Sequence, residues 1–317
     1  MVLWGHSIQY LQSVPFYENA VYRIIYSFHM PLFMMISGYF SISSMSLSLL
    51  TFIKKKGFQL LVPAVIWSII VWGVNASLGN HQSIFFHIVE DYWFLKSLFV
   101  CYSVCWLGQK TKMKLWQWGL LTIIFTQFIE IYKISLMYPC FFIGYVLRFK
   151  DLSGFISKRN VIAILACVFI ISLFFWDQSF WDNIASFKRA VLLLGLGELD
   201  WSWFYYRYFP YFIGIIGSLF FIGLFLKLQF FYDGKGRFCR MCADWGSKTM
   251  GIYLIQLVLL ETVLPHYVTF DSINLLFPYN FIITPMIASV ILFLCVVIIK
   301  ILEKSKPAQA ILLGKTE

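Results

Sequence analysis

Residues 280–302 read NFIITPMIASVILFLCVVIIKIL, twenty-three positions with a single charged side chain, Lys300, near the end. At 1.5 Å per residue this run makes a helix of about 34 Å, enough to cross a hydrocarbon core of about 30 Å. Similar runs recur along the chain between short polar breaks, giving expected spans near 1–14, 22–42, 58–78, 93–108, 115–131, 134–149, 161–176, 208–228, 247–265 and 280–302. The whole composition agrees: 60% of the 317 residues are apolar and 13% are charged, against about 25% charged in a soluble domain. Only helices or closed barrels satisfy their backbone in lipid, and these runs are too continuously apolar for the alternating strands of a barrel. The expected fold is all-α, a polytopic bundle of about ten spans forming a single membrane domain over 1–317.

The net charge of +10 comes from 25 Lys and Arg spread over the breaks, which fits a membrane protein and not a nucleic-acid partner. Taking the breaks alternately puts 19 of these 25 on one side, including Lys54–Lys56, Lys110, Lys112, Lys114, Arg148, Lys150, Arg240, Lys300 and Lys304. Such a bias marks the cytoplasmic face, so the basic loops and the C-terminus are expected in the cytoplasm and the chain in the cytoplasmic (inner) membrane. The other face carries loops at 79–92 and 265–279 and the stretch 177–207, where the apolar run Val191–Gly197 is expected to re-enter or lie in the interface. The first span is short, about 21 Å for 14 residues, so a helix that begins upstream is expected. Four cysteines lie in apolar runs as packing residues. Cys239 and Cys242 supply two of the four ligands a structural zinc needs, and no metal site is expected.

Polar groups inside spans are costly and therefore candidates for function. His6 and His29 flank a turn near Tyr17 and Glu18 at equal distances, so an antiparallel helix pair is expected to bring both imidazoles to one depth, facing one cavity. The alternative is that each hydrogen-bonds a neighbouring helix and packs. Pro31 removes a helical hydrogen bond and is expected to leave the Ser27 carbonyl open to a ligand. Lys54, Lys55 and Lys56 form a cationic cluster that would meet either anionic headgroups or the phosphates of a cofactor such as coenzyme A. Glu90, Asp91, Trp93 and Lys96 gather where the fourth span begins, with Lys96 either pairing with Asp91 or snorkelling. Glu130 and Lys133 resemble an i,i+3 pair, and His81, His87 and His266 fall in outer loops without metal-like spacing.

Six segments in order resemble the acyltransferase-3 family of bacterial multi-pass O-acyltransferases: VLWGHSIQ (2–9), FHMPLFMMISGYF (28–40), KKKGFQLLVPAVIW (54–67), YWFLKSLF (92–99), YPCFFIGYVLR (138–148) and WGSKTMGIYLIQ (245–256). The resemblance implies that His6 is the catalytic base and that His29 orients the acceptor or donates to the oxyanion. It also implies that Lys54, Lys55 and Lys56 bind acyl-CoA, and that Ser37, Trp93 and Tyr253 bind substrate. Three departures accompany it. The family's Arg, eleven residues before the histidine, would fall before Met1, so the native start is expected upstream or the copy is impaired; lysines replace an Arg-containing pattern; and Gln256 stands where a histidine is common.

The implied activity is O-acyl transfer, acetyl above all, from cytoplasmic acyl-CoA to a hydroxyl of a cell-surface polysaccharide or lipid-linked glycan, directly or through an acyl-histidine. No permanently bound cofactor is implied. The expected partners are acyl-CoA, the glycan acceptor, membrane lipid and, as a further candidate, a second copy of the chain. A lipid-linked sugar transporter or flippase would show repeated halves and paired broken helices. A polymerase would carry an Arg-rich outer loop, and an inactive scaffold in glycan assembly would bind substrate without turnover.

Overall fold

Residues 286, 290, 293 and 297 recur at helical spacing, and Met286, Val290, Phe293 and Val297 are all exposed, Phe293 to 67%, while Ala288, Ile291, Cys295 and Ile299 on the opposite face are buried. A stripe of that kind is stable only against lipid tails, and it sets the inside and outside of the bundle. The computed structural model describes residues 1–317 apart from 13–15, 17–18, 130, 177–200, 232–235, 271–275 and 316–317. The expected turn at Tyr17 and Glu18, Glu130 and the run Val191–Gly197 lie outside the described residues.

The helices are α1 (Val2–Leu11), α2 (Ala20–Tyr39), α3 (Leu49–Ser77), α4 (Ile84–Glu90), α5 (Trp93–Gln109), α6 (Leu115–Thr126) and α7 (Ile134–Phe149). They continue with α8 (Arg159–Phe174), α9 (Trp201–Phe231), α10 (Arg237–Ser247), α11 (Thr249–Tyr267), α12 (Tyr279–Leu302) and α13 (Lys306–Leu313). The protein is a helical membrane bundle, with no β-strand among the described residues. Each expected span overlaps a helix, and among the described residues four stretches are long and apolar enough to cross a bilayer alone: Leu49–Ser77, Tyr205–Leu228, Thr249–Tyr267 and Tyr279–Leu302.

Two sequence expectations change. The third span does not start at 58: Ser48 caps a helix that already contains Lys54–Lys56, its hydroxyl accepting from the Thr51 amide. The 79–92 segment is not all loop, because Ser83 caps α4 in the same way and α4 folds back against α3, with Trp72 Nε1 donating to the Gln82 carbonyl.

The chain forms two compact units. The first comprises Met1–Tyr22, Ser48–Phe99 and Gly234–Glu317; the second comprises Arg23–Leu47 and Val100–Asp233. In the first unit, α1 lies along α12, α11 packs on α12 with Gly251 against Ile299 and Leu313, and α13 crosses α3, where Trp67 Nε1 donates to the Leu312 carbonyl at 2.9 Å. In the second, α8 pairs with α9 through Gly217 and Gly223, and α6 rests on α7 where Gly119 meets the Phe142 ring. Small residues at such crossings are what lets helices approach without a hydrophobic driving force between them.

Candidate active site

In the first unit α1 is clamped to α12 by side chains that finish each other's hydrogen bonds. Trp4 Nε1 donates to the Asn280 carbonyl at 2.9 Å and to Thr284 Oγ1 at 3.0 Å, and the Tyr279 hydroxyl donates to the Ile8 carbonyl at 3.2 Å. Asn19 donates to Asn280 Oδ1 at 2.6 Å while its own Oδ1 caps the start of α2 through the Val21 amide. Trp4 and Ile8 are one turn apart, so the clamp fixes the rotation of the helix that bears His6.

His6 Nδ1 lies 3.3 Å from Glu261 Oε1, with the two side chains 15% and 21% exposed: sheltered, yet open to a ligand. Tyr10, one turn after His6, stacks its ring on the imidazole at 5.7 Å and donates its hydroxyl to the same carboxylate. Glu261 sits in a π-helical stretch of α11, Leu257–Val263. A carboxylate on Nδ1 selects the tautomer whose proton points at Glu261, which puts the basic lone pair on Nε2.

Around this pair stand groups from α4, α5 and α11. Tyr92 takes a left-handed conformation, φ 51°, and breaks the chain between α4 and α5; its hydroxyl donates to the Leu254 carbonyl at 2.9 Å. Tyr253 is edge-on to Tyr92 at 5.9 Å and to Phe94 at 5.8 Å, and its hydroxyl oxygen accepts from the Phe94 amide in the first turn of α5. Asp91 is within electrostatic reach of both Tyr253 and Glu261. Trp93, half-buried, packs edge-on to Phe94. The Lys96 ammonium closes the end of α4, donating to the carbonyls of Ile88 at 2.6 Å, Val89 at 2.9 Å and Asp91, within electrostatic reach of the Asp91 carboxylate. His87 is a buried helical residue, not a loop one, with Nδ1 2.9 Å from Asp91 Oδ2.

The lysine cluster divides because adjacent helical positions point about 100° apart. Lys54 and Lys55 are exposed, whereas Lys56 is 7% exposed and donates to Gln59 Oε1 at 3.1 Å.

His29 belongs to the second unit and His6 to the first. His29 is buried, edge-on to Tyr26, with Nδ1 2.9 Å from the Ile25 carbonyl one turn back. Because a carbonyl only accepts, that contact places a proton on Nδ1 and leaves neutral His29 an acceptor at Nε2. Pro31 does not open the Ser27 carbonyl to a ligand: Gly214 of α9 seats directly on the proline ring, close to that carbonyl, and Ser27 is fully buried. Ser37 is half-buried and its carbonyl accepts from the Tyr102 hydroxyl at 3.3 Å. Arg207, expected in an outer stretch, is instead a buried residue of α9 donating to Gln127 Oε1 at 3.0 Å, an oxygen that also accepts from Tyr211.

Of the residues in this cluster, the sequence singled out His6 and Tyr253 but not Glu261 or Tyr10. The available signal was Glu261 itself, the one acidic residue in the 247–265 span.

Compared with known proteins, residues 1–302 match a family described as an acyltransferase domain. Nodulation protein NolL of Mesorhizobium japonicum is 28% identical over 114 residues, covering 32% of this chain and 31% of its own length. Nodulation protein NolL of Sinorhizobium fredii is 31% identical over 110 residues, covering 30% of this chain and 29% of its own. The chain therefore aligns with less than a third of either relative. No solved structure matches.

Proposed function

The chain belongs to the acyltransferase-3 family, and from that premise we propose that it transfers an acyl group, acetyl above all, from acyl-CoA to a hydroxyl of a cell-surface polysaccharide or lipid-linked glycan, with His6 as general base. The observation that carries this reading is the His6–Glu261 contact reinforced by Tyr10. A sugar hydroxyl is a weak nucleophile at neutral pH. His6 Nε2 takes its proton as the oxygen attacks the thioester carbonyl carbon, and the C–S bond of the tetrahedral intermediate then breaks. The imidazolium returns the proton to the departing sulfur, so the products are a glycan ester and the free thiol of coenzyme A. Glu261 holds the ring in the reactive tautomer and stabilises the imidazolium while it exists, and Tyr10 holds Glu261. Base catalysis of this kind contributes typically 10² to 10⁴-fold.

Lys54 and Lys55, exposed at the basic end of α3, are the residues of the cluster that reach CoA phosphates. Lys56 supports the helix from inside. Trp93 and Tyr253 contribute aromatic surface for substrate. For His29 the reading is acceptor orientation through Nε2, since its Nδ1 proton goes to Ile25. The clustering of basic residues supports a cytoplasmic-membrane location with acyl-CoA entering from the cytoplasm.

The test is incorporation of labelled acetyl from acetyl-CoA into glycan in membranes holding this protein. His6→Ala should abolish incorporation, and Glu261→Gln should lower it 10²-fold or more with the protein still folded. Undiminished incorporation by His6→Ala refutes the base assignment. Absence of incorporation by the parent protein across acyl donors and glycans moves the reading to a flippase or a scaffold.

A further inference from the structure

We infer that Gln256 is the acceptor-gripping residue of this site, its carboxamide holding two adjacent hydroxyls of the sugar that receives the acyl group; the inference rests on the acyl-transfer reading above. Gln256 is 1% exposed, and neither Nε2 nor Oε1 has a hydrogen-bond partner among the described residues. A buried carboxamide left with both ends unsatisfied is a standing cost that a methionine or leucine of similar volume would not carry. Retention of the amide is explained by a ligand that satisfies it.

The position is that of the cluster already described. Gln256 lies three residues after Tyr253, hence on the same side of α11, and immediately before the π stretch that presents Glu261. Across from it, Phe94 lends its amide to the Tyr253 hydroxyl. One turn further along α5, Ser97 is fully buried with its own hydroxyl lacking a partner among the described residues. Two unsatisfied polar side chains therefore flank Tyr253, on the two helices that hold it.

The donor set selects the ligand. Oε1 only accepts and Nε2 only donates, so a partner must offer both functions side by side. A thioester carbonyl or a phosphate only accepts and would leave Oε1 unsatisfied. Adjacent hydroxyls of a pyranose donate with one and accept with the other, which satisfies both ends at once. Gln256 is thereby a specificity residue: it reads the hydroxyl pair next to the one that is acylated.

The test compares the parent protein with Gln256→Met, using methyl glycosides of hexoses and N-acetylhexosamines, each beside its mono-deoxy analogues. Gln256→Met should melt at a higher temperature than the parent without sugar, raise the acceptor KM about tenfold or more and leave the acetyl-CoA KM unchanged. Removing one hydroxyl of the recognised pair should penalise the parent and not the variant. Equal deoxy penalties in the two proteins overturn the inference. Should the parent transfer no acetyl at all, the acyl-transfer reading fails separately, and protection by the same sugars against thermal unfolding decides: protection of the parent alone supports Gln256 as the sugar grip, and equal or absent protection overturns it.

Discussion

Replacing Gly144 by alanine should part α2 from α7. A Cβ built at Gly144 lies 1.8 Å from the Met35 carbonyl oxygen and 2.7 Å from its carbon, and one built at Gly38 lies 1.9 Å from the Phe141 oxygen. The two contacts are reciprocal: Gly38 is three residues after Met35 and Gly144 three after Phe141, so the helices meet antiparallel, backbone on backbone, over almost a full turn. Carbon atoms at their optimum sit about 3.5–4.0 Å apart, so one methyl group demands a separation of roughly 1.5 Å. A side chain could swing away, but a helical carbonyl cannot. The cost therefore falls at the upper end of the range for overpacking, about 3 kcal/mol. Gly73, with nothing within 4 Å of its added Cβ, is the control, and there alanine should be neutral or gain up to about 1 kcal/mol from helix propensity. Thermal unfolding of the detergent-purified variants, followed by tryptophan fluorescence, should show Gly144→Ala melting several degrees below the parent and Gly73→Ala at or above it. Gly38→Ala combined with Gly144→Ala should cost less than the sum, since the first methyl has already separated the helices. Equal melting temperatures for Gly144→Ala and Gly73→Ala would refute the close approach.

Two further outcomes follow from the site. Tyr10→Phe keeps the ring stacked on His6 but removes the hydroxyl from Glu261, so kcat should fall roughly tenfold with the melting temperature little changed; a kcat equal to that of the parent would detach Tyr10 from the pair. Lys54→Ala with Lys55→Ala should raise the KM for acetyl-CoA, an effect that fades as salt is added, whereas Lys56→Ala should chiefly lower stability; equal effects of all three on KM would show that the cluster acts as one.

The fold was legible because burial in lipid imposes a composition that no local accident reproduces: 280–302 declares a span from its length and charge alone. The boundaries failed where a capping serine extended a helix beyond its apolar part, as Ser48 does for α3, or created one inside a supposed loop, as Ser83 does for α4. His6 was legible as a titratable group in an apolar run. The fate of Lys54–Lys56 was not, because adjacency in the chain says nothing of direction until the residues are known to be helical. The opening expected at Pro31 failed for a different reason: the carbonyl freed by a proline meets whatever packs there, and a glycine 183 positions later, Gly214, fills the space.

Glu261 shows why the central pairing was hidden. From Tyr253 it is eight residues on, which in a regular α-helix is about 800°, leaving it about 80° away from the tyrosine. The π stretch Leu257–Val263 begins between them and carries Glu261 itself. One residue inserted relative to the α register turns everything after it back by about 100°, to within roughly 20° of Tyr253. Tyr253, Glu261 and the Gln256 between them can then face the same side, towards α1 and the start of α5. A second helix that touches α1 uses the same device: α12 is π-helical over Tyr279–Ile283, where Tyr279 and Asn280 reach the Ile8 carbonyl and the Trp4 indole. Two partners of α1 thus widen by a turn at the level of contact, so the geometry that brings Glu261 to His6 is set by backbone register on two neighbouring helices. No periodicity counted along α1 could have revealed it.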